Sequence, residues 1–420
     1  MNKICVVGLG YIGLPTASLL ATKGFQVHGV DVNQNAVDTI NAGKIHITEP
    51  DLDILVRAAV QSGNLKAYLE PGPADVFILA VPTPFKDDHA PDLSYVEAAT
   101  QAIAPHVAEG NLIILESTSP VGTTEKIAAW LRNLRPDLSI PAWKSSGNTT
   151  AGNGCCQLFI AHCPERVLPG QIIRELVDND RIIGGIDELS VEKAEQFYKK
   201  FVNGKVLKTN SRTAEMAKLT ENAYRDVNIA FANELSIICD TLGINVWELI
   251  SLANHHPRVN ILQPGPGVGG HCIAVDPWFI VNSVPEQARL IRTAREVNDS
   301  KPRYVIDKVK SKADRFKQPS IACLGLAFKA DIDDLRESPA VDIVAALAKE
   351  HAGEILAVEP HIKALPKKLA AIGNITLTDL DNALQKADII VLLVNHRAFK
   401  GVDRVLLKEK VVIDTRGEWR

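Results

Sequence analysis

One cysteine sits in a setting suited to chemistry. Cys272 ends the stretch Pro264-Gly-Pro-Gly-Val-Gly-Gly-His-Cys272, with Ile-Ala-Val-Asp-Pro277 after it. Glycine weakens a helix or strand and proline removes a backbone donor, so the stretch is a tight loop and not a regular element. Such a loop lets backbone approach a ligand and presents one thiol at its end, as a nucleophile requires. A buried cysteine that only packs is the competing reading. Lys218, Asn222 and Arg225 stand at i, i+4 and i+7 of a helical pattern and share one face. The three suit a sugar nucleotide and an oxyanion; a solvated stripe, with Glu221 and Arg225 as a surface pair, has the same spacing. Glu165 and Arg166 follow a strand and are boxed by Pro164 and Pro169, facing either the same cleft or solvent. His255-His-Pro-Arg-Val-Asn260 is a further polar approach to the cysteine loop, while Arg289, Arg292 and Arg295 have helical spacing and read as structural.

The elements that must position these groups begin at the N-terminus. Ile4 to Val7 is an apolar strand that stops at Gly8-Leu-Gly10-Tyr-Ile-Gly13; Leu14 to Lys23 reads as a helix, Gln26 to Val30 as the next strand, and Asp31 closes it. Strand, glycines, helix, strand and acid in this order are the dinucleotide fingerprint, with a pyrophosphate on the helix N-terminus. Gly8, Gly10, Tyr11, Ile12 and Gly13 form the turn. Asp31 accepts from ribose hydroxyls and disfavours a 2′-phosphate, which selects NAD over NADP. Strands at Asp75–Val81 and Asn111–Leu115 continue a parallel sheet. Thr83, Thr118 and Thr124 fall beyond the carboxyl ends of these strands, where ligands bind, although a threonine there also serves as a helix cap. Residues 142–157 form a polar, Gly-rich loop, and Phe159–Cys163 returns as a strand. Ser211 to about Leu242 is the longest helical pattern, with Ser211 as N-cap and Gly243 after its end; Gln287 to Asn298 is a shorter helix. A second α/β unit starts at Ile321, with further strands at Ile355–Val358, Ile389–Val394 and Val411–Asp414. It lacks the glycine fingerprint, so no second dinucleotide is expected there.

At 420 residues the chain is long enough for two or three domains. Its net charge of −4 leaves no electrostatic footprint for nucleic acid. No apolar run spans a bilayer and the N-terminus enters a strand at once, so a cytosolic protein with no membrane partner is expected. The seven cysteines show neither zinc spacing nor a disulfide framework, and no metal site is expected.

Seven stretches together carry a resemblance: Gly8-Leu-Gly-Tyr-Ile-Gly-Leu-Pro15, Val81-Pro-Thr-Pro84, Glu116-Ser-Thr-Ser-Pro-Val-Gly122, Cys163-Pro-Glu-Arg-Val-Leu-Pro-Gly170, Ala214-Glu-Met-Ala-Lys-Leu-Thr-Glu-Asn222, Gly267-Val-Gly-Gly-His-Cys272 and Gly325-Leu-Ala-Phe-Lys329. Over nearly its whole length the chain resembles the UDP-sugar 6-dehydrogenases, in the UDP-glucose/GDP-mannose dehydrogenase family. The resemblance implies an α/β protein of two Rossmann-like doubly wound domains joined by a long central helix and a helical middle domain. The expected bounds are 1–207 for the NAD-binding domain, 208–302 for the middle domain with the cysteine loop, and 318–420 for the UDP-binding domain. It also implies oxidation of a primary alcohol at sugar C6 to a carboxylate with two NAD reduced and one water consumed. Cys272 would form a thiohemiacetal and then a thioester, because an aldehyde has no hydroxyl from which a second hydride loss is driven. Lys218 would stabilise or exchange protons with the C6 oxygen, and Asn222 would bind that oxygen or its water. Arg166, Val167, Lys218, Asn222, Arg225, His256, Arg258, Gly269 and Lys329 would surround the UDP-sugar. Arg336 would reach the cofactor, from the same or a neighbouring subunit, in a homodimer that shares the active site. Two positions depart from the UDP-glucose enzymes: Val275 replaces a lysine three residues after the cysteine, and Pro169 replaces a glutamate. Both agree with the N-acetylmannosamine branch, whose uronate product enters bacterial surface polysaccharide such as enterobacterial common antigen. They leave Glu165 as a candidate base for thioester hydrolysis. UDP-N-acetylglucosamine or another UDP-hexose is the alternative substrate.

Overall fold

The computed structural model describes residues 1–420 except Thr48, Asp87, Asp88, 144–156, Pro169, His271, His351, Ala352 and Arg420. The Gly-rich loop expected at 142–157 therefore lies almost entirely outside the described residues. The chain forms two compact units, Met1–Thr220 and Glu221–Arg420.

The first unit carries strands β1 (Lys3–Val7), β2 (Gln26–Val30), β3 (Leu65–Tyr68), β4 (Val76–Leu79), β5 (Leu112–Leu115), β6 (Phe159–His162), β7 (Arg181–Gly185) and β8 (Val206–Asn210); β1, β2, β4, β5 and β6 are the apolar runs expected from the sequence, and β3, β7 and β8 are additional. They build one sheet in the order β3-β2-β1-β4-β5-β6-β7-β8. Every pair is parallel except β6 with β7. Burial on both sheet faces explains the unbroken apolar runs: β4 and β5 are buried at every residue. Asp75, expected inside a strand, instead precedes β4 and accepts from the backbone N–H of Asn2 and Lys3 at 2.6 and 3.1 Å. A carboxylate used on a neighbouring strand's amides ends the apolar run.

The helix Ser211–Leu242 has the expected bounds, with Gly243 at φ +69° after it. Its cap differs from expectation. Asn210 Oδ1 accepts from Thr213 N at 2.9 Å, which makes Asn210 the N-cap, and Ser211 is the first helical residue, fully buried. The helix expected at Gln287–Asn298 runs instead from Arg289 to Ala313 through Pro302. Proline inside a helix costs about 3 kcal/mol. Beyond it Val305, Ile306, Val309 and Ala313 pack into the core of the C-terminal sheet. Burying a Val or Ile side chain contributes roughly 1.5–3 kcal/mol, so the three together outweigh the proline.

The second unit carries β9 (Ile321–Leu324), β10 (Ile355–Val358), β11 (Ile375–Leu377), β12 (Ile389–Leu392) and β13 (Val411–Asp414), all parallel, in the order β11-β10-β9-β12-β13. This repeats the β3-β2-β1-β4-β5 half of the first sheet. The fold is α/β, with Rossmann-like N- and C-terminal regions and a helical middle region.

Candidate active site

The turn after β1 is built by close approach. Gly8 N donates to Val30 O at 2.8 Å. A Cβ on Gly13 would stand 1.7 Å from Gly8 O, so only glycine lets the helix Gly13–Thr22 pack on this turn. Around Gly10 nothing lies within 4 Å of where a Cβ would be, which leaves open space over the helix N-terminus. Tyr11 is exposed and Ile12 half-buried beside it. Asp31 stands at the end of β2; its Oδ2 accepts from Leu9 N at 3.0 Å and its Oδ1 from Asn33 N at 2.9 Å. The carboxylate braces the glycine turn while presenting an acid where a ribose would lie. These residues fit a dinucleotide: open space at a helix N-terminus, backbone that can be approached, and an acid after the second strand.

At the ends of β4 and β5 the Thr83 hydroxyl donates to Thr118 O, and Ser117 Oγ donates to Val81 O at 2.7 Å. The two loops are thereby knitted together. Thr124 lies at the start of the helix Thr123–Leu134, where Glu215 caps the backbone. Glu215 Oε1 accepts from Thr124 N at 2.8 Å and Oγ1 at 2.6 Å, and its Oε2 accepts from Gly122 N at 2.6 Å. Burial raises this carboxyl to about 7 against the lowering effect of those bonds. Glu215 was not singled out from the sequence, although it is the acid in the quoted stretch Ala214-Glu-Met.

Glu165 sits in a buried cluster below the Arg166 loop. Its Oε2 accepts from Arg181 Nη1 at 2.6 Å and its Oε1 from Arg166 N at 2.6 Å. Arg181 and Glu165 are 3% and 7% exposed, so the pair is desolvated, and each carboxylate oxygen accepts one of these bonds. Arg166 Nη1 reaches Asp180 O at 3.2 Å, and Val167 packs against the sheet core. Above the cluster His162 is fully buried and held neutral, pushed down to about 3 by burial first, with the charge of Lys218 adding to it. Lys218 is half-buried.

In the second unit Cys272 is exposed. Its carbonyl accepts from Asp276 N at 2.9 Å, which places Asp276 one turn later, at the start of the helix Asp276–Ser283. Asp276 is 4% exposed, and its Oδ2 accepts from Asn222 Nδ2 at 2.5 Å. The long helix thus meets the cysteine turn through Asn222, and a buried carboxylate is held beside the thiol's own turn. Sequence reasoning passed over Asp276; the signal was an acid four residues after the cysteine and followed by proline, the pattern of a helix start.

The glycines before Cys272 are explained by what they touch. A Cβ on Gly269 would meet Glu337 O at 2.4 Å and Pro339 Cδ at 2.6 Å, and one on Gly270 would meet the Phe328 ring at 3.0 Å. The loop lies flush on the segment 328–339, where Lys329 and Arg336 are exposed. Arg336 pairs with Asp334 at 2.6 Å. Arg416, also not singled out from the sequence, brings Nη1 to within 2.6 Å of a Cβ position on Gly265, with its Nε donating to Leu393 O at 2.9 Å. His256 and Arg258 are exposed, joined by Arg258 N to His256 Nδ1 at 3.3 Å, and Arg225 is exposed on the long helix. Asp331, His361 and His396 have metal-ligand types within 4.8 Å. His396 already accepts from Asp331 N at 2.9 Å and bonds Glu359 Oε2 at 3.0 Å, so both ring nitrogens are in use.

Residues 2–202 match the NAD binding domain of the UDP-glucose/GDP-mannose dehydrogenase family, 212–300 its central domain and 322–420 its UDP binding domain. The chain is 62% identical over 95% of its length to UDP-N-acetyl-D-mannosamine dehydrogenase of Campylobacter jejuni, covering 96% of that protein. It is also 62% identical over its full length to NDP-N-acetyl-D-galactosaminuronic acid dehydrogenase of Ralstonia nicotianae, again covering 96%. Among solved structures, the UDP-N-acetyl-mannosamine dehydrogenase Cap5O from Staphylococcus aureus superposes with TM-score 0.85 at 43% identity, over 99% of this chain and 95% of that one. With the glycine turn, the acid after β2 and all three domains in order, this chain belongs to the UDP-glucose/GDP-mannose dehydrogenase family of NAD-dependent enzymes.

Proposed function

We propose that the chain oxidises C6 of UDP-N-acetyl-D-mannosamine to the carboxylate, with two NAD per sugar. The observation that carries this reading is the exposed Cys272, presented by a glycine loop one turn before buried Asp276, whose carboxylate is held by Asn222. NAD, when bound, accepts the hydride in each oxidation. Lys218 takes part at the C6 oxygen as the alcohol becomes an aldehyde. The Cys272 thiolate then adds to the aldehyde carbon to give a thiohemiacetal, whose oxidation leaves a thioester. Water releases the acid and frees the thiol, with Asp276 as the base and Asn222 fixing its orientation. Glu165, tied to Arg181, shapes the Arg166 loop toward the substrate. Thr83, Thr118, Thr124 and Arg336 serve the cofactor side, and Arg225, His256, Arg258, Gly269 and Lys329 the UDP-sugar side. The three family matches support division into NAD-binding, central and UDP-binding domains. Relatives named for N-acetylmannosamine support the substrate, and the uronate is then a precursor of bacterial surface polysaccharide such as enterobacterial common antigen. Among the described residues no helix is long and apolar enough to cross a membrane, which agrees with a cytoplasmic setting.

A second reading is favoured by the equally identical relative named for N-acetylgalactosaminuronic acid: a UDP-hexose other than the mannosamine. One experiment separates the readings, NADH released per sugar consumed on UDP-ManNAc, UDP-GalNAc, UDP-GlcNAc and UDP-glucose, with Cys272→Ala alongside. Two NADH per UDP-ManNAc, and no acid from Cys272→Ala, is the expected result. Preference for another sugar moves the substrate, and acid formation by Cys272→Ala removes the thioester route.

A further inference from the structure

Four buried polar side chains form one continuous chain of hydrogen bonds that begins and ends on the cysteine loop. Gly265 N donates to Asn233 Oδ1 at 2.8 Å, and Asn233 Nδ2 donates to Asn298 Oδ1 at 2.9 Å. Asn298 Nδ2 donates to Asp226 Oδ1 at 2.8 Å and to Asp226 O at 3.0 Å. Arg295 Nη1 donates to the same Asp226 Oδ1 and also to Ile273 O at 3.3 Å. Gly265 lies at the opening of the loop, and Ile273 directly follows Cys272. Asp226, Asn233 and Arg295 are 0% exposed and Asn298 is 1% exposed. Asp226 and Asn233 come from the helix Ser211–Leu242, Arg295 and Asn298 from Arg289–Ala313.

Polar groups buried this deeply cost free energy unless they are bonded, and a buried ion pair adds little net stability over apolar residues of the same volume. Apolar side chains of matching volume would also fill this space between the two helices. What they would not do is hold two particular backbone groups, one on each side of Cys272, in fixed directions. Hydrogen bonds are directional, and a relay in a dry interior is stiff. We propose that the Asn233–Asn298–Asp226–Arg295 relay is a positioning device for Cys272, fixing the entry and exit of its loop so that the thiol meets the aldehyde carbon. None of the four touches the reacting atoms; they are positioning residues. The proposal rests on the reading of Cys272 as the nucleophile.

The test uses the full-length enzyme and Asn233→Leu, which keeps the volume and removes the acceptor for Gly265 N. Misplacing a nucleophile by about 1 Å costs roughly 100-fold in rate, so kcat for acid formation should fall by roughly 10- to 100-fold with KM little changed. The NADH released per sugar should drop from two toward one, with aldehyde trapped by hydroxylamine, because the first oxidation does not need the thiol. In the cofactor-free protein, alkylation of Cys272 by iodoacetamide, followed on its own peptide by mass spectrometry, should change rate several-fold. A role in packing alone would lower the melting temperature and leave the NADH ratio at two. Asn298→Ser breaks the relay at its middle and should give the same shift. On the unmutated protein, hydrogen exchange should find the Gly265 amide protected, and exchange at open-loop rates would overturn the relay without any variant. Wild-type kcat, ratio and alkylation in folded Asn233→Leu would overturn it too, while Cys272 remained essential. Acid formation by Cys272→Ala would instead bring down the nucleophile and, with it, the relay's purpose.

Discussion

Glu116 shows how strongly a single residue's environment sets its chemistry. It is 1% exposed at the end of β5, with Thr16 Oγ1 donating to its Oε2 at 3.4 Å. Burial pushes its carboxyl up to about 8, and the nearby Glu165 charge adds to this while Arg181 opposes it. A carboxyl whose proton is held more tightly in the folded state than in the unfolded one loses stability as pH rises from its unfolded value toward that figure. Glu116→Gln, which keeps the shape without the charge, should therefore melt higher than wild type at pH 8, by roughly 2–4 °C for each kcal/mol relieved, with the difference vanishing near pH 5. Calorimetry at the two pH values checks it; equal gains at both would mean the charge is not the cause. Cys163 and Cys5, both pushed up to about 12 by burial, stay thiols at neutral pH and are packing residues.

At the scale of elements, the two sheets use one turn in two ways. Gly8 and Gly325 have φ of +93° and +91°, and the N–H of each donates to the end of the neighbouring strand, Val30 O and Val358 O, at 2.8 Å. Each turn is also braced by an acid after the second strand, Asp31 on Leu9 N at 3.0 Å and Glu359 on Leu326 N at 2.7 Å. The difference lies in exposure. Asp31 is half-buried, whereas Glu359 is 4% exposed and further bonded to Ala327 N and His396. The second turn is thus closed by its own side chains, in keeping with the missing fingerprint. In the first turn Gly13→Ala would force a methyl onto Gly8 O, so NAD affinity should fall at least about tenfold by calorimetric titration, while UDP binding, a property of the other domain, is retained. Unchanged NAD affinity would separate the turn from the cofactor.

For the whole molecule, the long helix leaves an apolar stripe uncovered. Tyr224, Phe231 and Ile238 recur every seventh residue at 71%, 51% and 46% exposure, with Leu242 at 65%. A heptad-spaced apolar seam pairs with another helix, and a second copy of this chain is the partner expected for a homodimer. Phe231→Glu with Ile238→Glu should convert a dimer into a monomer by sedimentation equilibrium, with a charged pair in the seam costing several kcal/mol of association. A wild-type monomer, or a variant that remains dimeric, would place the interface elsewhere or remove it.

Local chemistry made much of this protein legible in one dimension. The glycine turn with Asp31, the bounds of Ser211–Leu242 and the apolar strands β1, β2, β4 to β6, β9, β10, β12 and β13 each follow from neighbours in sequence, because turn geometry, helix period and strand burial are short-range constraints; the shorter or more polar β3, β7, β8 and β11 do not. The reach of the helix through Pro302 did not follow, since packing against the C-terminal sheet overrides a local penalty. Nor did the use of Glu165 on Arg181, of Glu215 on Thr124 or of Asp276 on Asn222. Each joins residues far apart in the chain, and a carboxylate's partner decides whether it acts as a cap, an ion pair or a base. Residue type and spacing are local and can be read along the chain, whereas the partner of each buried acid is decided only by the tertiary structure that brings distant residues together.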